Sequence, residues 1–408
     1  MRRVTVSKIP ILDVSLHGRP VGTITHLPGD QTLFVFDEAY IEDENRPTLS
    51  LSFKDVYGGL LTGFRPVQAR VPPFFSNLLP EGALRRYLAG PAGIKEVREF
   101  PLLGVLGGDL PGAVVVRPAD GEEWPSGDDH HHDDDEEHAM RFSLAGVQLK
   151  FSAVMEAQGR LTIPASGAGG DWIIKLPSAT YTGVPENEFS MMELARHVGI
   201  DVPEVKLVSM QGIDGLPVGT EEIGGDAFAI RRFDRGADSA RTHMEDFAQI
   251  FSVFPERKYE RANYRNLAEV IWTEIGAPGV TEFVRRLVFN ALIGNADMHL
   301  KNWSLIYPDG RTPVLAPAYD FVSTIAYLED EKMALNLAPA STRKFADLDL
   351  EAFRRFANKV GAPEKIVTDA VDETRTRFDE AWNREKGTLP LTRGVIATIE
   401  KHRAKLKI

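Results

Sequence analysis

Residues 294–321 read GNADMHLKNWSLIYPDGRTPVLAPAYDF, and this stretch decides the fold: polar residues, among them Asp297, His299, Lys301, Asn302 and Asp320, interrupt segments that otherwise read as buried structure. Just upstream, Val280, Phe283, Val284, Leu287, Val288, Ala291 and Leu292 recur at helical spacing and form an apolar stripe. The helix bearing that stripe runs into Gly294. Immediately beyond it lie Asp297, His299, Lys301 and Asn302, followed by WSLIY, the turn PDG and PVLAPAYDF. The order is helix, polar loop, β-hairpin, aspartate.

That order has a chemical reading. In protein kinases a catalytic-loop aspartate stands five residues before an asparagine, a hairpin follows, and a metal-binding aspartate precedes a phenylalanine. Asp297 and Asn302 have this spacing, and Asp320-Phe321 ends the hairpin. One carboxylate would orient and deprotonate an attacking hydroxyl, while the amide oxygen and the second carboxylate are hard ligands suited to Mg²⁺. A nearby lysine, Lys301, could neutralise charge on the transferred phosphoryl group. Two other readings stay open at this level. Aspartate and asparagine commonly make turns and caps, and Asp297, His299 and Asp320 offer a thin ligand set for a transition metal.

Further upstream, RFSLAGVQLKFSAVMEAQGRLTIPA predicts two strands joined by a turn near Gln158 and Gly159. DWIIKLP is a short apolar strand carrying Lys175, whose ammonium must meet an anion unless it snorkels to water at a strand edge. A helix follows in ENEFSMMELARHVGIDVP, with Met191, Leu194, Ala195 and Val198 on one face and Gly199 as its stop. Glu186, Glu188 and Glu193 are all available as partners for Lys175. VKLVSM and AFAIRRF add two strands. SLAGVQLK sets a glycine and Lys150 between strands, where main-chain N–H groups could cradle phosphates; lacking both GxGxxG and GKS/T, it reads equally as a hairpin turn.

From Val4 to about Arg117, short alternating runs between turn signals predict a sheet-rich module, interrupted by one helix from near Pro80 to Gly90. The run GEEWPSGDDHHHDDDEEHAM predicts a solvated acidic, histidine-rich loop; its histidines could take a metal adventitiously, but its composition is that of a linker. The expected organisation is 1–120 as an N-terminal β-rich subdomain, 121–138 as this loop, 139–235 as a small lobe and 236–408 as a helical lobe. The 408 residues are 43% hydrophobic, with no apolar run long enough to span a membrane. No secretory signal opens the chain and there are no cysteines, so the expectation is a soluble, cytoplasmic protein. A net charge of −12 argues against unaided, charge-driven DNA binding.

In combination, RFSLAGVQLKFS, WIIKLP, ENEFSMMELA, RRFDR, HMEDFAQ, GNADMHLKN and PAYDFVS resemble the HipA family of serine/threonine kinases, bacterial toxins of toxin–antitoxin modules. FSNLLPEGALRRYLA resembles that family's amino-terminal subdomain, so the resemblance spans nearly the whole chain. It implies an α+β, two-lobed protein-kinase-like fold using ATP and Mg²⁺. Asp297 would be the catalytic base, and Asn302 and Asp320 the Mg²⁺ ligands. Ala145, Gly146, Val147, Gln148, Leu149 and Lys150 would form the phosphate-binding loop, with Lys175 on the phosphates. Arg231, Arg232 and Phe233 would be the hinge beside adenine, Asp234 would lie near the ribose, and His299, Lys301 and Tyr319 would line the ATP site. Ser143 corresponds to the autophosphorylated serine of the family. Arg231 stands where the family pattern has a glutamate. The implied partners are a small DNA-binding, HipB-like antitoxin, with DNA reached only through it, and a protein substrate such as an aminoacyl-tRNA synthetase.

Two functions therefore stand against each other: an active kinase toxin, and a kinase-like binding module that docks an antitoxin and has weak catalysis. Retention of Asp297, Asn302, Asp320, Lys150 and Lys175 favours the first.

Overall fold

Strand alternation builds the first layer. In β1 (Ile11–Leu16) the residues Leu12, Val14 and Leu16 are buried while Asp13 faces solvent. Strands β2 (Arg19–Leu27), β3 (Gln31–Phe36), β4 (Val67–Gln68) and β5 (Val114–Pro118) join it in an antiparallel sheet of order β4-β3-β2-β1-β5. Phe34, Phe53, Phe74 and Phe75 fill the space beneath it together with Leu102 and Leu103. Each side chain of this size contributes roughly 1.5–3 kcal/mol on full burial.

The chain is known here from a computed structural model that describes residues 10–82, 84–85, 95, 97–119, 150–156, 160–163, 169–178, 180–216, 220, 223–236, 240–328 and 332–408. Ser143, residues 145–149, the acidic segment 121–138 and the turn at Gln158 and Gly159 fall outside the described residues. The helix expected from near Pro80 is preceded by a separate single turn over Pro73–Ser76, with Pro73 in its first position, where the missing N–H costs nothing. The chain is helical again at Gly82, Leu84 and Arg85. Pro80 separates the two pieces because a proline cannot donate into a continuing helix.

The second sheet runs in the order β10-β7-β6-β8-β11-β9, built from β6 (Lys150–Met155), β7 (Leu161–Thr162), β8 (Trp172–Lys175), β9 (Val205–Ser209), β10 (Ile213–Asp214) and β11 (Asp226–Arg231). The helix Val184–Val198 packs behind it, entered and left through left-handed Gly183 and Gly199. Met191, Leu194, Ala195 and Val198 are all buried, as their spacing predicts.

The helical lobe is organised around Ala277–Ile293, whose predicted stripe is entirely buried. Phe289, Asn290 and Ile293 are buried as well, so this helix is central rather than half-exposed. Glu364–Glu385 and Tyr264–Glu274 pack against it, and the rings of Trp303 and Phe356 stack around Phe283. The hairpin of β13 (Ser304–Tyr307) and β14 (Val314–Leu315) gains a third strand that the sequence did not announce, β12 (His243–Asp246), paired antiparallel to β13. Buried Arg286 ties the hairpin to the helix through its 2.8 Å bond to the carbonyl of Ala316.

Candidate active site

Gly294 turns the central helix into the polar loop. It is left-handed, with φ of 68°, and a Cβ there would run into the side chain of Ile325, so only glycine fits. Asn295 then stitches the loop: its Oδ1 accepts from the N–H of Asp297 at 3.0 Å and its Nδ2 donates to the carbonyl of Asp320 at 3.1 Å. Asn302 closes the loop by donating from Nδ2 to the carbonyl of Asp297 at 2.9 Å. Asp320 itself is left-handed, with φ of 60°, an uncommon conformation for a residue that bears a Cβ.

Across the cleft, the β6–β8 register sets Lys150 directly opposite Lys175. Cross-strand partners share a face, and two like charges there are unfavourable unless an anion answers them. Asp320 supplies one such anion through its ion pair with Lys175. The second partner of Lys175 is Glu188, at 2.5 Å from the helix Val184–Val198. Lys175 is buried, with 6% exposure. Burial alone would lower its pKa, but the carboxylates of Asp320 and Glu188 outweigh that and hold the ammonium charged. Burial pulls Asp320 the other way, yet Lys150 and Lys175 keep it well below the usual carboxylate range.

Asp297 opens to the cleft, and its surroundings raise its pKa by burial, opposed by a 2.6 Å hydrogen bond donated by the phenol of Tyr259. His299 is buried, and desolvation followed by nearby Lys258 depresses its pKa to about 3, so the imidazole is neutral. Phe233 and Tyr319 stand ring against ring, with centroids 5.8 Å apart. A single cavity of about 1220 Å³ brings together Lys150, Lys175, Arg231, Arg232, Phe233, Asp234, Asp297, His299, Lys301, Asn302, Tyr319 and Asp320.

This arrangement is that of a two-lobed, protein-kinase-like fold. The HipA-like C-terminal domain matches residues 142–382, and the HipA N-terminal domain matches residues 12–117. The chain belongs to the HipA family. A Sinorhizobium fredii protein named "Putative kinase Y4dM" is 55% identical, over 97% of this chain and 97% of its own. The Shewanella oneidensis serine/threonine-protein kinase toxin HipA is 25% identical over 76% of each chain. A solved complex of HipA, HipB and operator DNA from S. oneidensis MR-1 contains a chain that superposes with a TM-score of 0.74, covering 97% of this chain and 95% of that one at 20% identity. That last likeness is one of fold.

Two residues that line this cavity also make contacts that the sequence did not suggest. Both carboxylate oxygens of Asp234 are engaged by Arg232, at 2.9 and 2.8 Å, and the same carboxylate accepts from Arg235 and from the N–H of Gly112. Asp234 is 4% exposed and ties the N-terminal module to the segment 232–235. Lys301 is likewise committed: its Nζ donates to the carbonyl and Oδ1 of Asn77 at 2.9 and 3.0 Å and pairs with Asp246 at 3.2 Å. These bonds anchor the polar loop to the N-terminal module and to Asp246. Among the described residues no cluster of three or more His, Cys, Asp or Glu is placed to hold a metal ion, so the transition-metal arrangement is not formed there.

Sequence reasoning missed Asn77, Glu81 and Tyr259. Glu81 bridges Lys258 at 2.9 Å and Lys301 at 3.5 Å, so the N-terminal module contributes a wall of the cleft. No local pattern marks contacts between residues more than 170 positions apart. Glu188 did carry a signal: it lies three residues before Met191 and seven before Ala195, on the buried face of its helix, while Glu186 and Glu193 do not.

Proposed function

We propose that this HipA-family protein is an ATP-dependent serine/threonine kinase that transfers the γ-phosphoryl group to a protein hydroxyl, and that it acts as a growth-arrest toxin on an aminoacyl-tRNA synthetase or another translation factor. The observation that carries this reading is the pair Lys150 and Lys175, side by side on adjacent strands, facing Asp320 with Asp297 in the same cavity. Two ammonium groups on one face suit the phosphates of a nucleotide.

The residues present fit Mg²⁺. Asn302 uses its amide N–H on the carbonyl of Asp297, which leaves its Oδ1 as an acceptor, and Asp320 is ionised. One carboxylate and one amide oxygen leave places for phosphate oxygens and water, which is how Mg²⁺ is usually held beside nucleotides. When bound, the ion supplies charge neutralisation on the phosphate oxygens. The chain's own residues do the rest. Lys175, fixed by Glu188, positions phosphate, and Asp297 accepts the proton of the attacking hydroxyl. The packed rings of Phe233 and Tyr319 form an apolar wall for the base.

The test is incubation of the purified protein with γ-labelled ATP and Mg²⁺, alone and with cell extract. Label on a protein hydroxyl supports the reading, and no label on any protein removes it in favour of a binding module with weak catalysis. The same samples examine self-modification. Ser143 is expected to carry phosphate in the wild type and none in Asp297→Asn. Phosphate there adds about two negative charges beside a loop that must also hold the similarly charged phosphates of ATP, so ATP affinity is expected to fall in the modified species. Phosphate at Ser143 in both forms would point to another kinase, and unchanged affinity would remove the mechanism.

The partner reading is a small basic, HipB-like antitoxin. With a net charge of −12 the isolated chain is expected to bind operator DNA weakly, with tight association appearing only when such a partner is added. Tight, salt-sensitive binding of the pure protein in a mobility-shift titration would contradict this. No helix among the described residues is long and apolar enough to cross a membrane.

A further inference from the structure

The hydroxyl nearest the catalytic aspartate belongs to the protein. Tyr259 lies just after the short 3-10 turn Pro255–Arg257, outside every motif that the sequence offered. Its phenol donates to Oδ1 of Asp297 at 2.6 Å. The ring is built in: it meets the imidazole of His299 edge-on, with centroids 5.0 Å apart and planes at 82°, Lys258 lies over its face, and Arg343 holds its carbonyl at 3.1 Å. The main chain of Asp297 is pinned independently, its N–H by Asn295 and its carbonyl by Asn302. Of the carboxylate's two oxygens, Oδ1 is therefore occupied, and no described residue donates to Oδ2.

We infer that Tyr259 is the positioning residue of the catalytic aspartate: its phenol fixes Oδ1 and so presents Oδ2, alone, to the acceptor hydroxyl. This rests on the kinase reading above. In the step, the acceptor oxygen forms its bond to the γ-phosphorus while the bond from that phosphorus to the β,γ-bridging oxygen breaks. ADP leaves with the electron pair, and the acceptor's proton passes to Oδ2 of Asp297. Tyr259 keeps its own proton throughout. Without the phenol, the carboxylate is free to rotate about its last torsion, a broad, two-fold well, and a hydroxyl meets a base that points in several directions.

The experiment is steady-state and single-turnover kinetics on wild type, Tyr259→Phe, Asp297→Asn and the double variant, with ATP binding measured on each. Phenylalanine keeps the ring contacts with His299 and Lys258 and removes only the donor. The expected result is a roughly 10- to 100-fold fall in kcat for Tyr259→Phe, with KM for ATP and ATP affinity unchanged. No further fall is expected when the same change is made in Asp297→Asn, because a positioning residue has nothing left to position. Equal losses in both backgrounds, or a lower unfolding midpoint accounting for the loss, would make Tyr259 merely structural. Undiminished kcat in Tyr259→Phe would overturn the inference, and so would increased kcat/KM for the acceptor, which would mean that the phenol only occupies the acceptor's place. A wild type that transfers no phosphate would overturn the kinase reading and this assignment with it; an active wild type with either of the preceding results overturns this assignment alone.

Discussion

Asp297→Asn is expected to lower phosphoryl transfer by roughly 10²- to 10⁴-fold, the span that a positioned general base supplies, while leaving ATP affinity within a few-fold of wild type. The amide keeps the shape of the carboxyl and can still accept the Tyr259 hydrogen bond through its oxygen, but it takes no proton from an attacking hydroxyl. Asp297 opens to the cleft and contributes no core packing, so the unfolding midpoint should barely move. Single-turnover transfer at saturating ATP, alongside denaturant unfolding, checks both halves. Full transfer, or loss of the cooperative unfolding transition, would return Asp297 to the role of a turn residue. Asp320→Ala is the companion variant and should fail differently. It removes an anion from Lys175 and the proposed metal ligand, so nucleotide affinity in Mg²⁺ should fall along with the rate.

The second large effect concerns stability. Asp234→Ala is expected to cost about 3–5 kcal/mol, the range for removing one partner from a buried ion pair. Arg232, with 6% of its side chain exposed, would keep Asp109 at 3.7 Å as its ion-pair partner and long bonds to Ser152 and the carbonyl of Gly170 at 3.4 and 3.5 Å, and the N–H of Gly112 would lose its acceptor. Against a total of 5–15 kcal/mol for an ordinary domain, that is a large share. Urea unfolding followed by a probe in each lobe measures it. Asp234→Asn should cost less, since its carbonyl can still serve Gly112. A shift below about 1 kcal/mol in Asp234→Ala would show that the network relaxes around the loss.

What the sequence reveals and what it hides divide along physical lines. Periodic burial was legible: the stripe from Val280 to Leu292 and the face of Met191 to Val198 are where spacing puts them. The arrangement of the loop was legible because the order helix stop, polar residues, hairpin is set by local geometry, and Asp297, Asn302 and Asp320 do meet in one cavity. Lys175 was legible as a debt of charge, since an ammonium in an apolar strand must be answered, and it is answered by Glu188 and Asp320. The departures arise where a charge had several suitors. Asp234 and Lys301 carry the residue types of nucleotide contacts, but arginines flanking Asp234 in sequence and an asparagine from a distant segment also hold them. The strand β12 was missed because four residues, His-Met-Glu-Asp, have no strand-like alternation and form one only against β13.

Among the described residues, the N-terminal module meets the rest of the chain at several separated places, including Glu81 and Asn77 beside Lys258 and Lys301, Asp109 and Gly112 on Arg235 and Asp234, and Ser50 with Leu51 on the buried carboxyl of Glu245. Ties at several separated places resist turning as well as sliding. The two family domains, 12–117 and 142–382, invite the division of the chain into separable parts. Mechanically the seam does not run there. A fragment beginning after the acidic segment would carry Lys258 without Glu81, and would leave Lys301 and Arg235 with one carboxylate each, Asp246 and Asp234, in place of two, so positive charge would be left in excess along one rim of the cleft.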